Sequence, residues 1–240
     1  MAQQKQSNKP TLVFLPGTLC TRDVFTPIIN SEHFNSVSVD VTTESSLSQT
    51  TELIKQHIGE QPVILVGFSM GGMIAFDFIR TYPHLVAGLC LINSNCHADL
   101  PGRKQTRDLH LAKSKSHGLE SVLREHYLAN YFSDVNNINA EIVVSMANQL
   151  GVEVFESQLS ILANRPDSTE ELSKFDRPTL IIGSQDDVPC PPLHQIFMAG
   201  IVKHSELHIL NNSGHFALLE QPQQIKAIIE QWLEQTHESV

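Results

Sequence analysis

The chain has 240 residues and a formal net charge of −10, with 41% hydrophobic and 18% charged residues. An acidic surface repels nucleic acid and anionic lipid, so we expect neither nucleic acid nor a membrane as a partner. No apolar run approaches the length of a membrane span, and the polar residues 1–10 lack the apolar core of a signal peptide. We therefore expect a cytoplasmic protein with a loose N-terminal tail.

Short apolar runs alternate with helical patterns along most of the chain. Strands are predicted at residues 11–15, 37–41, 63–66, 85–92, 179–183 and 206–210. Helices are predicted at residues 22–30, from a cap at Ser46 or Ser48 to residue 58, from 70 to 78, and at 222–235. This alternation is typical of an α/β protein with a mainly parallel sheet and helices on both faces.

One long segment interrupts the alternation. Apart from an ambiguous run at residues 142–144, residues 98–173 show no strong strand pattern. Helical apolar spacing occurs instead at residues 109–115, 119–132, 140–150 and 155–164. Because no flexible linker bounds this segment, we predict that residues 98–173 pack as an inserted helical cap on a core of residues 1–97 and 174–240.

The sequence Gly67-Phe68-Ser69-Met70-Gly71 lies between a predicted strand and a predicted helix. A strand that turns at once into a helix crowds its own backbone, and glycine on either side of Ser69 removes the clashing Cβ atoms. The serine hydroxyl is then exposed beside a helix N-terminus. A glycine-rich turn without a function can have the same sequence pattern, but the strand before it and the helix after it favour a nucleophilic serine.

Two more polar loops follow predicted strands, one with Asp186 and Asp187 and one with His215. Parallel strands end at one edge of a sheet, so we expect Ser69, Asp186 and His215 to meet there. The imidazole would take the serine proton, and the carboxylate would fix its tautomer. The backbone N–H groups of Thr18 and Met70 would hold the developing oxyanion.

The matching motifs are Leu15-Pro16-Gly17, Gly67 to Gly72, Pro178 to Asp186 and Gly214-His215-Phe216. With these motifs the chain resembles the α/β-hydrolase superfamily over nearly its whole length. It is similar in particular to small cytoplasmic carboxylesterases such as the pimeloyl-carrier methyl esterase. The resemblance implies the α/β-hydrolase fold, a helical cap and no cofactor.

The acid of the predicted triad has two candidates. Counting forward from Gly183, where the strand is predicted to end, selects Asp186. Counting back from Pro191, as the spacing in relatives implies, selects Asp187, because the loop has one extra residue. Successive side chains of an extended segment point to opposite sides, so only one of the two can face His215. We choose Asp186, since the sheet fixes where the loop begins.

We predict a serine hydrolase that cleaves a carboxylic ester or thioester of a small molecule through an acyl-enzyme on Ser69. The same residues can run carbon–carbon bond hydrolysis or a lyase reaction, and a non-catalytic ligand-binding protein on this scaffold stays open. The candidate substrate-binding residues are Leu19, Phe132, Met146, Phe155 and Arg165, with Leu128 and Leu159 as further apolar candidates. Core packing is the alternative role for the apolar ones. Arg165 is a candidate to pair with a substrate carboxylate, and the alternative is an exposed arginine that caps a loop.

No metal site is predicted. The cysteines at positions 20, 90, 96 and 190 form no Cys-x-x-Cys motif, so we expect free thiols that fill space. The histidine pairs at 110 and 117, and at 204 and 208, have no carboxylate cluster beside them.

Overall fold

The computed structural model describes residues 9–238 of the chain. The expected loose tail lies outside the described residues except for its last two positions. Within them, six strands form one sheet in the order β2-β1-β3-β4-β5-β6, and every neighbouring pair is parallel. The strands are β1 (Thr11–Leu15), β2 (Asn35–Ser38), β3 (Val63–Phe68), β4 (Val86–Ile92), β5 (Thr179–Ser184) and β6 (Ser205–Leu210).

The helices are α1 (Leu47–Ile58), α2 (Met70–Thr81), α3 (Arg103–His117), α4 (Leu119–His126), α5 (Ala140–Asn164), α6 (Thr169–Lys174), α7 (Pro192–Ile201), α8 (Ala217–Glu220) and α9 (Pro222–Glu238). Short 3-10 turns occur at Arg22–Phe25, Pro83–Leu85 and Leu128–Asn130. Ser46 caps α1 by accepting a hydrogen bond from the Gln49 N–H, and Pro222 is the first residue of α9.

Several elements differ from the sequence prediction. The strand expected at 37–41 is observed at Asn35–Ser38. Among the described residues it is an edge strand that pairs only with β1, and it ends with Ser38 opposite Phe14 because β1 itself ends at Leu15. The helix expected at 22–30 is reduced to a 3-10 turn, and helix α7 was not predicted. The last strand residue before the acid loop is Ser184 instead of Gly183, because Ser184 still pairs with Leu210 of β6.

The side chains of the sheet alternate between two apolar cores. Leu12, Phe14 and Val66 pack on one face with residues of α9, whereas Val13 and Leu65 pack on the other with residues of α1, α2 and α7. Strands buried on both faces read as continuous apolar runs in the sequence, which is why β1, β3 and β4 were predicted correctly.

The segment between β4 and β5 is helical, including the ambiguous run at 142–144, which lies in α5. Helix α5 is bent at Gly151, whose φ is 81°. Leu119, Leu123 and Phe155 of this segment form a third apolar cluster together with Leu19 of the loop after β1. The helices therefore pack against the sheet edge where the strands end. Among residues 9–238, no helix is both long and apolar enough to cross a lipid bilayer.

Candidate active site

Ser69 lies in a sharp turn between β3 and α2. Its φ is 51° and its ψ is −114°, a conformation that is strained for a residue with a side chain. A Cβ atom at Gly71 would lie 1.9 Å from the Leu15 carbonyl oxygen, and one at Gly67 would lie 2.5 Å from the Gly72 backbone. Glycine at these two positions is therefore what lets the strand, the turn and the helix approach so closely.

The side chains of Ser69, His215 and Asp187 form a chain of hydrogen bonds at this turn, called the relay below. The Nε2 atom of His215 lies 3.0 Å from the Ser69 hydroxyl oxygen. The Nδ1 atom of the same ring lies 2.9 and 3.0 Å from the two carboxylate oxygens of Asp187. The Asp187 side chain is fully buried and that of His215 nearly so, which shields both contacts from water.

The choice of Asp186 as the partner of His215 is wrong. Asp186 is exposed, and the next residue, Asp187, holds the ring. Because β5 runs to Ser184, the acid loop begins one residue later than assumed. The Asp187 N–H donates to the Ser184 carbonyl, closing a turn that directs the second carboxylate inward. Counting back from Pro191 would have selected the right residue.

Two further groups hold the Asp187 carboxylate. The side-chain amide of Asn93 donates to Oδ2 at 2.7 Å, and the backbone N–H of Cys190 donates to Oδ1 at 2.8 Å. Asn93 directly follows β4 and has a φ of 47°, a conformation that asparagine tolerates better than most residues. The sequence analysis missed Asn93. A polar residue at the end of a buried strand beside the Ser69 strand was the available signal.

Thr18 and Met70, whose backbone N–H groups are expected to form an oxyanion hole, are neighbours in space. Met70 is the first residue of α2, so its N–H has no helical acceptor, and the Thr18 N–H forms no hydrogen bond within residues 9–238. The Thr18 hydroxyl lies 3.7 Å from the Met70 sulfur. The neighbouring Leu19 N–H donates to the buried Gln158 side chain of α5 at 2.7 Å. A helix of the inserted segment thus holds the loop that carries Thr18.

Aromatic rings enclose the imidazole of His215. The Tyr131 ring stacks on it with centroids 5.7 Å apart, and the Phe68 ring lies at 5.3 Å. Burial raises the pKa of the Tyr131 hydroxyl well above its usual value, so this group stays protonated and able to donate a hydrogen bond.

A cavity of about 370 Å³ opens at Ser69 and His215. Of the predicted substrate-binding residues, Leu19, Phe155 and Arg165 line it, as does Leu159. The other three candidates, Leu128, Phe132 and Met146, do not line it.

Phe132 and Met146 do not line the cavity but lie in the apolar core, where the Phe132 ring stacks on that of Phe216. Leu128 packs against the same core. Helical spacing marks the apolar positions of the inserted segment, but the bend at Gly151 sends Met146 and Phe155 of α5 into different environments. The glycine itself is the only sign of that bend in the sequence.

Three arginines lie in the cavity wall: Arg103 and Arg107 of α3, and Arg165 just after α5. Both terminal nitrogens of Arg107 donate to the Asp99 carboxylate, and Nη1 of Arg165 donates to the same carboxylate at 3.2 Å. Burial opposes the charge on Asp99, yet the hydrogen bonds from Arg107 hold the pKa of that carboxyl below its ordinary value. Sequence analysis missed Arg103 and Arg107, although their spacing of four residues on a helix places them on one face.

The alpha/beta hydrolase fold family matches residues 40–222 of the sequence. The chain belongs to this family. The resemblance and the fold class inferred from the sequence are thereby confirmed. The chain is 25% identical over 164 residues to a putative carbamate hydrolase, RutD, of Rhizobium rhizogenes, covering 66% of this chain and 62% of that protein.

Two esterases of known structure are similar to this hydrolase-fold chain. An esterase from Thermogutta terrifontis has a TM-score of 0.85 at 24% identity, covering 95% of this chain and 90% of its own. An esterase from Exiguobacterium antarcticum has a TM-score of 0.82 at 18% identity, with 95% and 92% covered. At these identities the likeness concerns the fold. The chain spans less than two thirds of the length of the first curated relatives it matches, down to 33%.

The four cysteines of this hydrolase-fold chain are buried and unpaired by disulfides. Burial raises the pKa of Cys190 to about 12 and that of Cys96 to about 11. The pKa values of Cys20 and Cys90 are raised further by the same cause. Protonated thiols are poor nucleophiles, so the two cysteines beside the site, Cys20 and Cys190, fill space there. Within the described residues, no group of His, Cys, Asp and Glu is placed to hold a metal ion.

Proposed function

We propose that the protein is a serine hydrolase that cleaves a carboxylic ester or thioester of a small molecule through an acyl-enzyme on Ser69. The observation that carries the proposal is the relay from Asp187 through His215 to Ser69, with both ring nitrogens in hydrogen-bond contact. A histidine held in one tautomer by a buried carboxylate can accept a serine proton through its other nitrogen. The strained backbone of Ser69 also supports a catalytic role, because strain persists where the surrounding structure is built to hold it.

The proposed reaction has two halves. Ser69 Oγ attacks the carbonyl carbon while His215 takes its proton, and the N–H groups of Thr18 and Met70 stabilise the negative oxygen. The carbon–oxygen or carbon–sulfur bond then breaks, and His215 returns the proton to the leaving alcohol or thiol. Water, deprotonated by His215, then attacks the acyl-enzyme. The bond between the acyl carbon and Ser69 Oγ breaks, His215 returns the proton to Ser69, and the acid is released.

Residues 98–173 would act as a cap over this site. The cavity lining supports this role, because Arg107, Tyr131, Phe155 and Leu159 all come from that segment. Changing a lining residue should therefore alter which acyl groups are accepted, without removing the reactive serine.

A fluorophosphonate probe tests the proposal. Peptide mass spectrometry should locate the adduct on Ser69, and Ser69→Ala should lose about 10⁴ to 10⁶ in kcat on the best ester. Ser116→Ala, at an exposed position on α3, is the matched control and should keep both labelling and turnover. Labelling at another residue, or full activity in Ser69→Ala, would overturn the proposal.

The substrate class needs a panel of p-nitrophenyl esters of different acyl length, acyl thioesters and a ring-fission diketone. Hydrolysis of esters or thioesters is the expected result. Preference for the diketone would assign carbon–carbon bond cleavage to the same three residues. A protein that binds these compounds but neither turns them over nor takes the probe would be a ligand-binding member of the family.

A further inference from the structure

The charge of the cavity differs in sign from that of the protein. The chain as a whole has a formal net charge of −10. The residues that line the cavity include Arg103, Arg107 and Arg165, but no aspartate or glutamate. A cavity whose wall carries cations in an acidic protein concentrates anions and repels cations.

Hydrogen bonds to Asp99 and to backbone carbonyls hold Arg107 and Arg165 in the cavity wall. Asp99, which does not line the cavity, accepts hydrogen bonds from Arg107 and Arg165. Arg165 also donates to two backbone carbonyls, those of His97 and Leu162. The side chains of Arg107 and Arg165 are only 13% and 10% exposed. Two buried guanidinium groups that share one carboxylate leave a positive charge uncompensated, which is costly unless an anion joins them.

Donor groups remain available for such an anion. Within residues 9–238, Arg107 Nε and Arg165 Nη2 form no hydrogen bond, and the Arg103 side chain has no ion pair. Tyr131, whose buried hydroxyl stays protonated, lines the same cavity. A hydrogen bond from a guanidinium group to a carboxylate is stronger than a neutral one, so these remaining donors suit a carboxylate.

We propose that the acyl group of the substrate ends in a carboxylate, which pairs with the arginines of the cavity wall while its ester or thioester carbonyl lies at Ser69. This inference rests on the proposed function. The products would be a dicarboxylic acid and the released alcohol or thiol, with water supplying the hydroxyl of the new acid. The burial of Arg107 and Arg165 favours a group that enters the cavity over a phosphate of a bulky leaving group outside it.

Matched pairs of esters test the proposal. In monomethyl and dimethyl esters of the straight-chain dicarboxylic acids from succinate to suberate, the far end is a carboxylate in one and a neutral methyl ester in the other. The kcat/KM of the dimethyl ester is halved for its two equivalent ester groups. The kcat/KM ratio of monomethyl to dimethyl ester should exceed one at a preferred chain length. Arg165→Gln should lower that ratio about 10- to 100-fold, as expected for a charge-assisted hydrogen bond, and Arg103→Gln should lower it less, because Arg103 is exposed.

The control removes the same charge from the same segment. Arg124 pairs with Glu120 and Glu141 on the surface of α4 and does not line the cavity. Arg124→Gln should leave the ester ratio unchanged. A ratio near one in the unmodified protein, or an equal fall in Arg124→Gln, would overturn the inference. If Arg165→Gln does not fold, Arg165→Lys keeps the charge but loses the planar fork, and its ratio should still fall.

Binding separates this inference from the proposed function. Calorimetry with Ser69→Ala needs no turnover and should show tighter binding of the monomethyl ester. If this binding preference is found but the fluorophosphonate probe does not label Ser69 in the unmodified protein, the hydrolase is rejected and the anion site stands. If the probe labels Ser69 but the monomethyl ester is not preferred, the anion site is rejected and the hydrolase stands. A coenzyme A thioester of an uncharged acyl group is the last comparison. If it is preferred over the monomethyl esters and loses that preference in Arg165→Gln, the anion belongs to the leaving group and the proposal is overturned.

Discussion

The side-chain amide of Asn93 donates a hydrogen bond of 2.7 Å to Asp187, the carboxylate that holds His215. The same amide also donates to the Ser184 hydroxyl at 3.0 Å, so two strand ends fix its position. We infer that Asn93 is a positioning residue, because it contacts the acid of the relay and does not line the cavity.

Replacing Asn93 by glycine should slow turnover. Asn93→Gly keeps the left-handed backbone but deletes the donor, so the carboxylate turns more freely and orients His215 less well. We expect kcat to fall about 10- to 100-fold with little change in KM, given the strength of a hydrogen bond to a charged group. Steady-state kinetics with a p-nitrophenyl ester provide the measurement.

Asn212→Gly is the control for that variant, because Asn212 also has a positive φ, of 51°, and is exposed. It should keep normal turnover. Equal losses in the two variants would show that the glycine, and not the missing amide, is responsible.

The two adjacent aspartates should behave very differently. Asp187→Asn puts an amide where His215 needs a carboxylate, which disturbs the tautomer and leaves the protonated ring unstabilised; we expect kcat to fall about 10⁴-fold. Asp186→Asn changes an exposed side chain and should be nearly normal. The comparison is made on purified proteins with matched circular dichroism. Loss of activity in Asp186→Asn alone would contradict the geometry.

The sequence was sufficient for the positions that local chemistry dictates. The elbow at Ser69 follows from glycines between a β-branched run and a helix, and His215 follows from its place after the last strand. Asp187 was missed because the choice depended on where β5 ends, and the pairing of Ser184 with Leu210 is a tertiary contact. Arg165 was predicted to bind substrate, but Arg103 and Arg107 were missed, because only the packing of α3 against α5 brings them beside Arg165.

Gln158 links the inserted helices to the proposed oxyanion loop. Its Oε1 accepts from the Leu19 N–H, and its Nε2 donates to the Val41 carbonyl at 2.8 Å. Gln158→Met would leave both backbone groups buried without partners, which should lower the free energy of unfolding by about 1–3 kcal/mol each. Because Thr18 precedes Leu19, kcat should also fall, by up to about 10²-fold.

Chemical denaturation and ester kinetics measure the two effects of Gln158→Met. The control is Gln149→Met, at an exposed position of the same helix, which should change neither. A less stable variant with normal kcat would mean that Gln158 supports the fold but does not position the loop.

Alanine variants of Leu159 and Met146 should distinguish a side chain that lines the cavity from one that only packs in the core. Leu159→Ala enlarges the cavity and should move the preferred ester toward longer or bulkier acyl groups, by about 1–3 kcal/mol in relative kcat/KM. Met146→Ala removes a fully enclosed core side chain and should cost about 2–5 kcal/mol of stability with the preference unchanged. An ester chain-length series and denaturation curves on both variants distinguish the two roles. A shifted preference in Met146→Ala would place it in the substrate's path.

The acyl-enzyme itself is the most direct test of the account. A p-nitrophenyl ester is mixed with the protein, quenched in acid within the first turnovers, and the peptides are measured by mass spectrometry. We predict that the peptide containing Ser69 gains the mass of the acyl group, and that a burst of p-nitrophenol matches the amount of labelled protein if deacylation is the slower half. Hydrolysis by the unmodified protein without any acylated peptide, or an acyl group on a residue other than Ser69, would contradict the mechanism.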